Sequence, residues 1–280
     1  MLKLAVCRVP SHASDHDPIV SVNAGIFLPH ANTSGINKDK VTLGTTLGGM
    51  ATVLLVRHGR TSANEKGILA GTAPGTVLDS RGIEQAQLLA ELLAGLEVSA
   101  IISSPLERTV QTAEALATAL VNKTGDPLVI SLESGLSECE YGDWTGRSLS
   151  ELAKEDLWRA VQDHPASVVF PGVEGESMAH MANRAVGAIR HWNDVLGPDS
   201  VYVAVSHGDV IKAILADALG IHLDLFQRIG VDPGSVSVIN YTPTRPFVLC
   251  TNSNGSDIRR HVSVAHKTTS DAPVGGGSGD

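Results

Sequence analysis

Apolar and polar positions along the chain fall into two kinds of pattern from about residue 50 onward. Short runs rich in β-branched residues and leucine, Thr52–Val56, Ser99–Ser103, Leu128–Ser131 and Val201–Ser206, predict buried strands. Between them lie segments with apolar residues three and four apart, which predict amphipathic helices. Ser80–Leu96 carries Ile83, Ala86, Ala90 and Leu93; Pro105–Leu120 carries Leu106, Val110, Ala113, Ala117 and Leu120. Ser177–Leu196 carries Met178, Met181, Ala185, Ile189, Trp192 and Leu196, and Asp209–Leu219 is a shorter fourth. Val236–Tyr241 and Phe247–Thr251 predict a closing pair of strands. Alternation of strand and helix implies an α/β fold, a three-layer sandwich with a mostly parallel central sheet flanked by helices. Ligands of such sheets bind beyond the carboxyl ends of the strands.

The ends of the chain lack this order. Residues 1–49 mix His, Pro, Asn, Gly and Ser without a sustained period and predict an irregular or disordered extension, with Met50 a candidate natural start. From Asn252 to Asp280 the chain is polar, closes with Gly-Gly-Gly-Ser-Gly-Asp, and predicts a flexible tail. The expected organisation is therefore extension 1–49, a patterned α/β domain 50–251 and tail 252–280.

Charge and composition narrow the function. Lys and Arg number 21 against 30 Asp and Glu, a net charge of −9 that argues against nucleic-acid or anionic-membrane partners. No apolar run reaches the roughly 18 residues of a membrane span. Met1–Cys7 falls short of a lipoprotein signal, because its apolar core is short and Val6 replaces a small residue. Three cysteines, Cys7, Cys139 and Cys250, without a Cys-x-x-Cys, fit a reducing, cytoplasmic setting and no structural zinc.

Two of the strongest strands end in histidine: Val56-Arg57-His58-Gly59-Arg60 and Val205-Ser206-His207-Gly208. In a parallel sheet both lie at the carboxyl edge. A single strand-end histidine is most often a satisfied structural residue; two at equivalent ends, one preceded by Arg, point to a site. The strand at Ala100–Ser103 runs into Ser104-Pro105-Leu106-Glu107-Arg108, with Pro105 suited to the first helical position and Arg108 in the first turn. There the free backbone N–H groups and the guanidinium favour an anion. A positive pocket in an acidic protein predicts a small dianion as ligand.

These three motifs, Arg57-His58-Gly59, Ser103-Ser104-Pro105-Leu106-Glu107-Arg108-Thr109 and Ser206-His207-Gly208, resemble the signature of the histidine phosphatase (phosphoglycerate-mutase-like) superfamily, over about residues 51–251. The segments Arg60–Gly71 and Ala182–His191 resemble actinobacterial members. The resemblance implies His58 as the phosphoryl-accepting nucleophile, with Arg57, Arg108 and His207 on the phosphate oxygens. It implies Asn64 as a further phosphate contact, beside a plain capping role, and places Arg60 at the pocket. Glu138, in Leu136-Ser137-Glu138 ahead of Gly142-Asp143-Trp144-Thr145-Gly146, matches the family's proton donor, with Glu140 a rival. Pro171–Ser177 resembles a segment bordering the substrate, which makes Glu176 and Ser177 candidate contacts. No metal and no cofactor is implied, because arginines and histidine supply the positive charge.

The remaining conspicuous residues take ordinary readings. Cys139 packs, Trp144 and Trp158 belong to the core or pocket wall, and His164, His180, His191 and His222 lack metal spacing. The expected activity is hydrolysis of a small phosphorylated metabolite. The alternatives are a phosphoglycerate mutase and an inactive phospho-ligand-binding member. The short Glu138–His207 stretch, and Arg60 where many mutases carry Glu, favour the phosphatase. A homodimer through a sheet edge near Val236–Thr251 stays open.

Overall fold

The computed structural model describes residues 51–124, 126, 128–255 and 257–265. The N-terminal extension, Met50 and the tail beyond residue 265 lie outside these. In chain order the strands are β1 (Ala51–Arg57), β2 (Glu97–Val98), β3 (Ala100–Ser103), β4 (Val121–Asn122), β5 (Ile130–Leu132), β6 (Ser200–Ser206), β7 (Val236–Tyr241) and β8 (Pro246–Ser253). The α-helices are α1 (Ser62–Glu65), α2 (Ser80–Leu93), α3 (Glu107–Ala117), α4 (Leu149–Leu152), α5 (Asp156–Asp163), α6 (Met178–Leu196), α7 (Gly208–Leu219) and α8 (Ile258–Ala265). Six strands form one sheet in the order β5-β3-β6-β1-β7-β8, while β2 and β4 pair separately. The β5-β3-β6-β1 portion is parallel; β7 and β8 join antiparallel, as the closing pair predicted.

The sheet is covered on both faces, so its central strands are apolar on both. Val53 and Leu55 of β1, with Tyr202 and Ala204 of β6, pack against α6 and α7. Leu54 and Val56, with Val201, Val203 and Val205, pack against α2, α3 and α8. Each Val or Leu side chain among these, wholly withdrawn from water, stabilises the fold by about 2 kcal/mol before entropy is counted. No described helix is long and apolar enough to cross a membrane.

Several local expectations shift. Pro105 lies before the helix rather than inside it: Leu106 is the N-cap of α3, and Arg108 remains in its first turn. The buried face of α3 runs through Arg108, Thr109, Thr112, Ala113 and Leu116 instead of the purely apolar stripe, because polar residues are turned toward the site. Ile83 is 47% exposed, and Gly82, Ala86, Leu89, Ala90 and Leu93 form the inner face of α2. The third strand begins at Ile130 rather than Leu128. Order also continues past residue 251. The first part of the expected tail holds the end of β8 and then α8, whose Ile258 and Val262, one turn apart, are buried in the core.

Candidate active site

The site grows from the register of the two central strands. Arg57 of β1 pairs with Ser206 of β6, so the next residues, His58 and His207, emerge side by side at the carboxyl edge. The His58 N–H donates to the Ser206 carbonyl at 3.1 Å, and the two imidazoles stand edge to face with centroids 5.2 Å apart. Gly59 then turns the chain against the start of α2. A Cβ on Gly59 would collide with the Gly82 carbonyl, and one on Gly82 with the Arg60 carbonyl, so both positions require glycine.

Hydrogen bonds define the tautomers. His58 Nδ1 lies 2.7 Å from the Gly59 carbonyl, which can only accept, so Nδ1 carries the proton. Nε2 then has a free lone pair and accepts from Arg108 Nε at 3.2 Å. Burial, then the charges of Arg108 and Arg57, hold the His58 pKa well below the usual histidine value. His207 is shifted the same way, by burial and then by Arg108. Its Nδ1 lies 3.2 Å from Arg108 Nη2, and its Nε2 2.8 Å from the Ser104 hydroxyl.

Arg108 is 2% exposed, and its Nη2 also donates to the Gly71 carbonyl at 2.8 Å. Its Nη1 is buried with no hydrogen-bond partner among the described residues, and so is Arg57 Nε; Arg57 Nη1 is anchored on the Val231 carbonyl at 2.6 Å. Buried guanidinium donors without acceptors are costly. Two of them on the same cavity as an imidazole lone pair make a candidate receptor for an anion that brings its own acceptor oxygens.

Above this receptor opens a cavity of about 310 Å³. Arg57, His58, Arg108, Glu138, Asn64 and Asp209 are among its walls. Glu138 Oε1 accepts from the Cys139 N–H at 3.0 Å. Burial of its carboxyl and the nearby charge of Asp209 raise its pKa to about 7, against the opposing pull of Arg108. Tyr141 donates its hydroxyl to Asp209 Oδ2 at 3.0 Å, and burial keeps that phenol protonated.

The structure brings together Arg57, His58, Arg108, Glu138 and His207, and places Asn64 at the cavity wall. Asn64 also serves the capping role: its Oδ1 accepts from the Thr61 N–H and hydroxyl, closing a capping box on α1. Arg60 is not part of the site. Its guanidinium is drawn away by ion pairs with Asp79, 2.8 Å, and Glu65, 3.4 Å, and does not line the cavity. Glu140 is exposed and outside the cavity, which leaves Glu138 the only one of the two on the site. Glu176 and Ser177 are also outside it. Ser177 is the N-cap of α6, accepting from the His180 N–H. Glu176 holds Arg184 through both carboxylate oxygens at 2.7 and 2.8 Å. Arg184 in turn donates to the carbonyls of Gly135, Ser137 and Glu138, clamping the segment that presents Glu138. Cys139 is buried and packs, as expected, and burial raises its thiol pKa. Sequence reasoning missed Asp209, Tyr141 and Arg184, although Asp209 follows the His207-Gly208 motif directly.

An imidazole lone pair beside two arginines that each keep one donor without a partner, at the carboxyl edge of an α/β sandwich, suits phosphoryl transfer through histidine. The model of the histidine phosphatase superfamily (branch 1) matches residues 53–254, and the chain belongs to that family. It is a phosphomonoester hydrolase of the histidine phosphatase type. Among its relatives, "Phosphoserine phosphatase 1" of Hydrogenobacter thermophilus is 34% identical over 72% of this chain and 92% of its own. The 2,3-bisphosphoglycerate-dependent phosphoglycerate mutase of Thermoplasma acidophilum is 25% identical over 77% of this chain and 100% of its own. The crystal structure of the alpha-ribazole phosphatase from Shigella flexneri superposes with a TM-score of 0.62 at 28% identity, covering 73% of this chain and 97% of that one.

Proposed function

We propose that this chain hydrolyses the phosphate monoester of a small metabolite through a phosphohistidine on Nε2 of His58. The observation that carries this reading is the pairing of an unprotonated Nε2 with two buried guanidinium donors that lack partners. The phosphate oxygens take up Arg57 Nε and Arg108 Nη1, which hold the charge of the transferring phosphoryl group. Nε2 forms a bond to phosphorus as the ester P–O bond breaks. Glu138 gives its proton to the departing alkoxide oxygen. The positive charge left on the imidazole is met by the Gly59 carbonyl at Nδ1. In the second half, Glu138, now a carboxylate, takes a proton from water as the water oxygen attacks phosphorus and the P–N bond breaks. Phosphate leaves, and both residues return to their starting states. His207 keeps Arg108 aligned and completes the cradle, and Asn64 stands at its edge. The arginines supply the positive charge that a metal ion would otherwise bring.

The test is phosphate release from a panel of monoesters in the presence of chelator, with wild type beside His58→Ala. Release by the wild type alone is expected. Loss of activity in chelator, or turnover by His58→Ala, contradicts the assignment.

A further inference from the structure

The cavity walls speak to the substrate's alcohol half. Beyond the phosphate cradle their apolar part includes Leu69, Trp144, Leu149, Trp158, Val161 and Phe170. The indoles of Trp144 and Trp158 stack at 29° with centroids 6.2 Å apart, and Phe170 stands edge-on to Trp144 at 5.5 Å. Flat apolar walls of this kind favour a flat apolar occupant.

Charge points the same way. Among the described residues lining the cavity, Lys212 is the one cation besides the two arginines. It is already engaged: its Nζ lies 3.4 Å from Asp209 Oδ1, 3.1 Å from Gln227 Oε1 and 5.5 Å from the centre of the Phe226 ring. A second anionic group on the substrate would have to share Lys212 with Asp209 and sit beside the Asp209 carboxylate. The Asp209 carboxylate thus disfavours a carboxylate or second phosphate there.

Resting on the histidine phosphatase reading above, we infer that the substrate is a phosphomonoester of an uncharged alcohol with an aromatic or comparably flat apolar body, and not a phosphorylated hydroxy acid, amino acid or bisphosphate. The phosphate seats on Arg57 and Arg108. The body lies along Trp158 and Leu149, the more open members of this wall, and hydroxyl groups along it can meet Gln162 and Gln227.

The experiment compares three primary alkyl esters, so that leaving-group chemistry stays nearly constant: 3-phenylpropyl phosphate, propyl phosphate and 3-phosphoglycerate. Phosphate release is followed with the full chain. Burial of the ring is expected to raise kcat/KM for the phenylpropyl ester at least about tenfold over the propyl ester, mainly through KM. 3-Phosphoglycerate is expected to fall below propyl phosphate. Trp158→Ala should narrow the phenylpropyl-to-propyl ratio to within about threefold. Leu149→Ser, at the exposed rim of the cavity, should narrow it in the same direction. A preference for 3-phosphoglycerate, or a wild-type ratio near one, overturns the substrate class and leaves the phosphatase reading standing. No release from any of the three esters overturns that reading, and this inference with it.

Discussion

The Nε of Arg108 points at Nε2 of His58 from 3.2 Å, on the ring edge opposite the Gly59 carbonyl. A guanidinium cannot accept a proton or a hydrogen bond, so this contact leaves Nε2 the imidazole nitrogen with the lone pair. The same guanidinium reaches His207 Nδ1, tying the two strand-end histidines into one unit. On the proposed mechanism Arg108 is a phosphate ligand and, after burial, the group that does most to keep His58 neutral.

Removing it should be severe. Arg108→Ala is expected to lower kcat/KM by about 10²–10³-fold or more, the usual cost of losing a preorganised charge-stabilising donor. Arg108→Lys should recover little, because an ammonium cannot span His58, His207 and Gly71 together. Steady-state kinetics on 4-nitrophenyl phosphate checks both; near-wild-type activity in the lysine variant would contradict the forked role.

The acid is tested through its leaving group. Glu138→Gln should lower kcat/KM for an alkyl phosphate by at least about 10²-fold, while kcat/KM for 4-nitrophenyl phosphate, which reports transfer to His58 with a leaving group that needs no proton, should suffer much less. Equal losses in kcat/KM on the two esters would remove Glu138 from the acid role.

The pH profile follows from the same group. Glu138 must be protonated to act as acid, so activity in the first half-reaction is present below its pKa of about 7 and falls as pH rises through it. His58 must be neutral, and its depressed pKa puts loss on the acid side well below the ordinary histidine range. Burial is the larger cause of the Glu138 shift and the charge of Asp209 the second. Asp209→Asn should therefore move the alkaline limb to lower pH. A limb that stays put or rises would show that Asp209 does not act on Glu138.

Arg60 separates the structure from the sequence. Its place next to Gly59 suggested a pocket contact, yet Asp79, the N-cap of α2, and Glu65 hold it elsewhere. Arg60→Ala should leave kcat/KM within about threefold and cost at most about 1 kcal/mol of stability, as expected for a partly exposed ion pair. Kinetics and thermal denaturation measured side by side decide this.

What was legible in the sequence was the scaffold of the site. Buried strands write themselves as continuous apolar runs, and the residues at their ends, His58 and His207, are then placed by topology. Arg108 could be read because a strand and a helix start bracket it. The illegible parts depend on side-chain direction or on the meeting of distant segments. Asp209 matters because Tyr141 and Glu138 are folded onto the start of α7, and Arg184 because a long helix passes under the Glu138 segment. Glu176 lay in a segment that resembled a pocket border, but its carboxylate faces Arg184. Helix α8 hid in a polar stretch whose one signal was Ile258 and Val262, four residues apart.

The central claim is a phosphoryl group carried by His58. In Glu138→Gln, an aryl ester should still phosphorylate the enzyme, while water, without its base, should attack slowly. Quenching that variant in alkali during turnover of 4-nitrophenyl phosphate and mapping the peptides tests the claim most directly. The account predicts one phosphoryl group, stable in base and labile in acid, on Nε2 of His58. A phosphoryl group on any other residue, or none while nitrophenolate continues to be released, would contradict it.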